Sequence, residues 1–334
     1  MERARVVARD GIAMYAPIFF ESIAKRRSWG GSRLVDRFGG EVDPPIGESW
    51  ELSGLPGKAS LATNFRYAGR TLEDLYDEDP VGIAGQGTAA KYSRFPLMVK
   101  LIDTGDDLPV QVSPNTGYAQ YRFGPDALGK MEFWYILDAD PKARIFYGFS
   151  KFMSQEEVSV AALNGNLGDS LHSVGARAGV WAPIQPGVVN AVGKGVFLVS
   201  VQQASEYAFR LFDWNRMPKK ELNLKDALLC ANLNKFADTP VCKTVRQSTP
   251  KTLVDNQVFS IRKWDLEPGN AVVTPNAGKT FFIVFPLDTA MAVSSGGQRA
   301  DCPARHACLV PAGAGEFEMA VDAPGSALVV STGS

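Results

Sequence analysis

Apolar positions along the chain come in short runs that alternate with polar ones, and Gly, Pro or Asn interrupts them at close intervals. Leu97–Asp103, Val110–Ser113, Glu132–Leu137, Arg144–Phe149, Val196–Gln203 and Phe209–Trp214 are the strand candidates. Several carry aromatic or β-branched side chains at every second position, the period of a half-buried strand. Beyond about Asp238 the same texture returns in Val258–Trp264, Ala271–Thr274, Lys279–Phe285 and Ala307–Pro311. Helices are fewer. Ser154-Gln-Glu-Glu157 is a capping box that predicts a helix to about Asn164. Thr71-Leu-Glu-Asp predicts a second helix start, and Leu224, Leu228 and Leu229 can share one face of a third over Lys225–Leu233. Ala307-Cys-Leu-Val-Pro-Ala-Gly313 echoes Val180-Trp-Ala-Pro-Ile-Gln-Pro-Gly187: an apolar strand running into a Pro/Gly turn, the punctuation of a jelly roll. The expected fold is mainly β: two jelly-roll β-barrel halves with a small helical region. The expected domains are 1–237, including the helical insertion, and 238–334.

Composition adds exclusions. The chain has 334 residues, enough for at least one large core. Its 35 basic and 36 acidic residues nearly cancel, so no broad basic field exists to attract nucleic acid or an anionic membrane. A few local cations still suffice for a small anionic ligand. Phe281–Phe285 is too short to span a bilayer and ends at Pro286. The first nine residues scatter charges and lack an apolar stretch, so no secretory signal is expected. Four cysteines (Cys230, Cys242, Cys302 and Cys308) are few for this length and read as reduced thiols, consistent with a cytoplasmic protein. Cys302, His306 and Cys308 lie close in sequence but lack a fourth ligand and a C-x-x-C pair, so no metal is expected there.

Five ordered segments carry a family resemblance: Ser28-Trp-Gly-Gly31, Ile46-Gly-Glu-Ser-Trp-Glu-Leu-Ser53, Phe95–Asp103, Gly129-Lys-Met-Glu-Phe-Trp134 and Phe209-Arg-Leu-Phe-Asp-Trp-Asn-Arg216. With Leu108-Pro-Val-Gln-Val-Ser-Pro114 and Gln185-Pro-Gly-Val-Val-Asn-Ala191, the chain resembles the class I phosphomannose isomerases from about Ala16 to its end, most strongly between Ile46 and Arg216. The resemblance implies a cupin jelly roll and a cavity for a sugar or sugar phosphate. That family interconverts mannose 6-phosphate and fructose 6-phosphate through an enediol-type intermediate, with zinc held by a glutamine, a glutamate and two histidines.

Carried over position by position, the resemblance is uneven. Gln111, Lys130 and Glu132 match the family, Lys100 lies in the matching strand, and Arg210 and Arg216 occupy the basic positions of the last motif. Ser113 and Asn190 stand where the family has its two zinc histidines, Pro109 replaces a serine that can contact phosphate, and Ser200 replaces a glutamate. Zinc favours nitrogen and sulfur donors, whereas Gln111, Ser113, Glu132 and Asn190 offer oxygens, only one of them anionic. His172 and His306, the only histidines, match neither position. No cofactor is therefore expected. Ser113, Asn190 and Gln111 suit a water or a sugar hydroxyl, with Lys100 and Arg216 as further substrate contacts. Arg210 fits an anion site or a plain ion pair on a barrel face, and Lys130 with Glu132, on one strand face, fits either a site or an ion pair. Glu48 reads as a buried structural acid.

Three functions remain open. One is a binding protein that keeps a sugar-phosphate pocket but has little or no zinc-dependent isomerase activity. The alternative is an active aldose–ketose isomerase with a weak metal or none, in which Glu132 is the base and Lys130 or Arg210 stabilises the enediolate. The third is an enzyme of the same fold acting on another carbohydrate.

Overall fold

A computed structural model describes residues 15–40, 45–236, 242–243, 250–274 and 279–333. The charged N-terminal stretch and the division expected after residue 237 lie outside the described residues. The chain forms two compact, interleaved units, one from 1–23, 51–96 and 246–334, the other from 24–50 and 97–245. No helix among the described residues is long and apolar enough to cross a membrane.

A seven-stranded sheet whose residues fall mainly in the second of these units runs in the order Cys242–Lys243, Val180–Ile184, Glu132–Ala139, Val196–Gln203, Leu97–Asp103, Ile46–Ser53 and Ile23–Arg26. A five-stranded sheet runs Phe209–Phe212, Val110–Val112, Asn190–Val192, Arg144–Phe149 and Leu171–Gly175. Apolar residues from both sheets, among them Ile102, Trp134, Ile136, Leu198, Ile145, Tyr147 and Val192, form one core, the jelly-roll arrangement. The other side of the five-stranded sheet buries Val112, Phe149 and Leu211 with Val158 and Ala162 of helix Gln155–Asn164 and Ala227 of helix Leu224–Cys230.

The other unit repeats the plan. Its six-stranded sheet (Ile18–Phe19, Cys308–Val310, Phe282–Pro286, Gly325–Thr332, Phe259–Leu266, Lys251–Asp255) shares a core with a four-stranded one (Val272–Thr274, Phe317–Ala320, Met291–Ser295, Gln298–Cys302). The echo between Val180–Gly187 and Ala307–Gly313 thus matches a strand in each unit, leading into a turn in the first and into the short 3₁₀ helix Ala312–Ala314 in the second. Segment 246–334 shares its unit with the earlier residues because Ile18 and Phe19 pair antiparallel with Leu309 and Cys308.

Strand positions follow the alternation closely, and the differences have local causes. Phe209–Phe212 stops short of the expected Trp214 because Trp214 and Asn215 take positive φ (51° and 57°). Hairpin Met291–Ser295/Gln298–Cys302 turns on Gly296 and Gly297, with φ of 60° and 76°, a pair that glycine adopts without strain. In Ser28-Trp-Gly-Gly31, a Cβ on Gly30 would lie 2.8 Å from the Gly47 backbone nitrogen, so close chain approach explains the glycine.

The Ser154 capping box forms as expected. Ser154 Oγ accepts from the Glu157 amide at 3.1 Å, and Glu157 accepts from the Ser154 amide at 2.7 Å. Ser154→Ala is expected to cost about 1 kcal/mol of local stability, read as faster amide exchange over residues 155–164; unchanged exchange would show that tertiary packing alone holds this helix.

Candidate functional site

Strand register gathers the candidate residues. Ser200 pairs with Trp134 on one side and Lys100 on the other, so these three side chains share a face of the seven-stranded sheet. Glu132 joins them two residues before Trp134. On the five-stranded sheet, Gln111 pairs with both Asn190 and Arg210. A cavity of about 520 Å³ is lined by Lys100, Lys130, Glu132, Gln111 and Arg210, with Glu48, Trp50, Trp134 and Pro109 among its other walls.

Glu132 is 2% exposed, so its charge survives only with close partners. Lys130 Nζ lies 3.2 Å from Glu132 Oε2, while Ser200 Oγ donates to Oε1 at 2.6 Å and Trp134 Nε1 donates to it at 2.7 Å. Burial pushes this carboxyl up, but Lys130, Lys100 and the two hydrogen bonds outweigh it and hold it at about 2. The Lys130–Glu132 ion pair is therefore formed, within a cavity wall.

Glu48 repeats the device. Trp50 Nε1 donates to its Oε2 at 2.8 Å, Arg27 lies 3.2 Å away, and Lys100 Nζ is 3.9 Å from Oε1. Burial raises this carboxyl, and Lys100, Arg27 and Trp50 bring it below the usual carboxylate range. Both acids sit in a Glu-x-Trp triplet, in which alternation sends acid and indole to one side of the strand. The recurrence of Glu48-Ser-Trp50 and Glu132-Phe-Trp134 is a sequence signal that a residue-by-residue reading passes over. Burial lowers the proton affinity of Lys100, Glu48 restores part of it, and Lys130 lowers it again, leaving a net decrease.

The charges that face the cavity favour an anion. Arg26, Arg27, Lys100, Lys130, Arg210 and Lys220 stand against Glu48, Glu132, Glu206 and Asp213. Among the described residues Arg210 has no ion pair: Nη1 donates to the Glu221 carbonyl at 3.2 Å, and its buried Nε has no partner. The plain ion pair on a barrel face therefore does not describe Arg210.

Arg216, expected beside Arg210, does not line the cavity. It pairs with Asp213 and with Asp106 at 3.3 Å, and donates to the Asp107 carbonyl. Ser113 and Asn190 share the Gln111 face but do not line the cavity either; they are 4% and 1% exposed. Asn190 Nδ2 donates to the Val188 carbonyl at 2.8 Å, and its buried Oδ1 has no partner among the described residues.

Gln111, Ser113, Glu132 and Asn190 present no nitrogen or sulfur donor of the kind that zinc favours. The one carboxylate of the set is already neutralised by an ammonium at 3.2 Å, and the remaining donors are neutral oxygens. His172 lies on strand Leu171–Gly175 and does not line the cavity, and His306 Nδ1 lies 3.1 Å from the Ala304 carbonyl in the other unit.

No protein-family model matches the chain. Curated relatives do. The mannose-6-phosphate isomerase of Streptococcus mutans serotype c is 31% identical over 259 residues, covering 76% of this chain and 80% of that protein. Mannose-6-phosphate isomerase ManA of Bacillus subtilis is 30% identical over 310 residues, 91% of this chain and 95% of its own. Among solved structures, the Bacillus subtilis mannose 6-phosphate isomerase superposes with a TM-score of 0.78 at 26% identity, over 95% of this chain and 99% of that one. A mannose 6-phosphate isomerase with zinc bound superposes at 0.75 and 14% identity, over 95% and 100%, a likeness of fold.

Proposed function

The chain belongs to the mannose-6-phosphate isomerase family, and from that premise we propose that its cavity takes a sugar phosphate without a zinc ion, with little or no zinc-dependent isomerase activity. The observation that carries this reading is the engagement of Glu132 by Lys130, Ser200 and Trp134; the resemblance, which assigns the two histidine positions to Ser113 and Asn190, points the same way. Arg210, with donors left over, suits the phosphate as a planar fork. Lys100, Lys130 and Gln111 suit the sugar oxygens.

A second reading, metal-independent aldose–ketose isomerisation, is favoured by Lys100. Its amine lines the cavity 3.9 Å from Glu48, and burial lowers its proton affinity; in this reading it acts as the base in its neutral form. Glu132, held at about 2, is a weak base and suits a fixed counter-ion better. In this reading Lys130 and Arg210 would stabilise the enediolate charge.

A coupled mannose 6-phosphate isomerase assay, run after EDTA treatment and again with added zinc or magnesium, separates these readings. The expected result is no gain in turnover on adding zinc, with mannose 6-phosphate raising the melting temperature of the EDTA-treated protein. Turnover that survives EDTA would favour the second reading. Turnover restored only by zinc would refute both.

A further inference from the structure

Strand Phe259–Leu266 places its alternate residues on two faces. Its register with Gly325–Thr332 sets Leu266, Trp264, Arg262 and Ser260 opposite Gly325, Ala327, Val329 and Ser331. Leu266, Ala327 and Val329 belong to the core of the unit that includes the C-terminal segment, and Trp264 and Phe282 pack against it. This row therefore begins in an apolar core and ends in a guanidinium and two hydroxyls. The Arg262 side chain, exposed on this strand, makes no ion pair or hydrogen bond among the described residues, while its backbone is paired in the sheet.

Two cavities meet at Arg262. One, of about 490 Å³, brings Lys91 and Lys279 around it against a single carboxylate, Asp255. Its wall includes a chain of hydroxyls in which Thr332 Oγ1 lies 3.3 Å from that of Thr88 and 2.9 Å from that of Thr280. The other, of about 260 Å³, shares Ser260, Arg262 and Ser331 and adds the rings of Trp264 and Phe282. The Trp264 indole nitrogen is buried without a hydrogen-bond partner, a donor that costs stability unless something accepts from it. Cations, hydroxyls and an aromatic wall together match a phosphorylated sugar: the cations for phosphate, the hydroxyls for sugar hydroxyls, the rings for the apolar face of a pyranose.

We infer that this groove, on the unit that does not contain the Lys100–Glu132 cavity, is a separate binding site for a sugar phosphate. All its lining residues belong to segments 51–96 and 246–334 of one unit. It stands or falls independently of the function proposed for the first cavity.

Calorimetric titration of the full chain with mannose 6-phosphate, repeated on Arg262→Ala and Arg210→Ala, tests it. Both side chains are at cavity walls, and circular dichroism checks that each variant is folded. The expected result is one equivalent of binding that weakens about 10–100-fold in Arg262→Ala, the worth of one charge-assisted hydrogen bond, and persists in Arg210→Ala. Inorganic phosphate and free mannose, as separate titrants, should each bind more weakly than the sugar phosphate. The inference is overturned if Arg262→Ala titrates like the native chain, or if inorganic phosphate binds as tightly as mannose 6-phosphate. Loss in Arg262→Ala with no change in Arg210→Ala would sustain this groove even if the first cavity bound nothing.

Discussion

Glu132→Ala is expected to destabilise the protein by about 3–5 kcal/mol, the cost of leaving a buried ion-pair partner uncompensated. Lys130, 5% exposed, would lose the carboxylate 3.2 Å away, and Ser200 and Trp134 would each lose an acceptor. Glu132→Gln keeps an acceptor for both while removing the charge, so its cost should be smaller. Urea denaturation at pH 7 checks both; a loss below about 1 kcal/mol in Glu132→Ala would mean that Lys130 finds another counter-charge. The pH dependence has a definite sign. The Glu132 carboxyl goes from an ordinary value of 4.5 to about 2 in the folded chain. The folded state thus binds the proton less well than the unfolded one, and the ion pair's contribution is complete above pH 4.5. It is lost as pH falls towards 2, so the gap between native protein and Glu132→Ala should close across that window. A gap that closes near pH 6 instead would show that the carboxyl is not held low.

Replacing Ser113 and Asn190 together by histidine is expected to tighten zinc binding by more than about 100-fold, since even outer-shell partners of a metal ligand are worth about 10–100-fold. Gln111, opposite Asn190 in the register and two residues from Ser113, would lie beside both new imidazoles. Competition with a chelating dye, on double variants shown to be folded, measures the gain. A folded double variant with native zinc affinity would mean that the surroundings of Gln111 and Glu132 no longer form half of a metal site.

Much of the fold is legible in the sequence because a jelly roll announces itself through alternation. Leu97–Asp103, Arg144–Phe149 and Val196–Gln203 occupy the expected residues without change. Helix Thr116–Phe123 is less legible: it carries a poor helix former, Gly117, in its first turn and only Ala119 is buried, so it presents no apolar stripe, and its start depends on the Asn115 side chain accepting from the Tyr118 amide. The interleaving of the two units is not visible in a linear reading either, because the pairing of Ile18–Phe19 with Cys308–Val310 joins residues nearly 300 positions apart.

The site divides in the same way. Lys100, Lys130 and Glu132 are legible through their motifs, and their mutual approach follows from strand register. Arg210 and Arg216 look equivalent in one motif, yet the strand ends between them. Past the positive-φ pair Trp214–Asn215, Arg216 meets Asp213 and Asp106 instead of the cavity. The role of Ser200 as a donor to Glu132 is equally hidden, since it needs two strands in register rather than a spacing along one.

The most direct test of a sugar-phosphate cavity that needs no zinc is a calorimetric titration of EDTA-treated protein with mannose 6-phosphate, comparing the native chain with Lys100→Met and Arg210→Ala. The expected result is binding in the presence of EDTA, of which the equivalent belonging to the Lys100–Glu132 cavity weakens in both variants. Binding that appears only when zinc is restored, or that neither substitution alters, would contradict it.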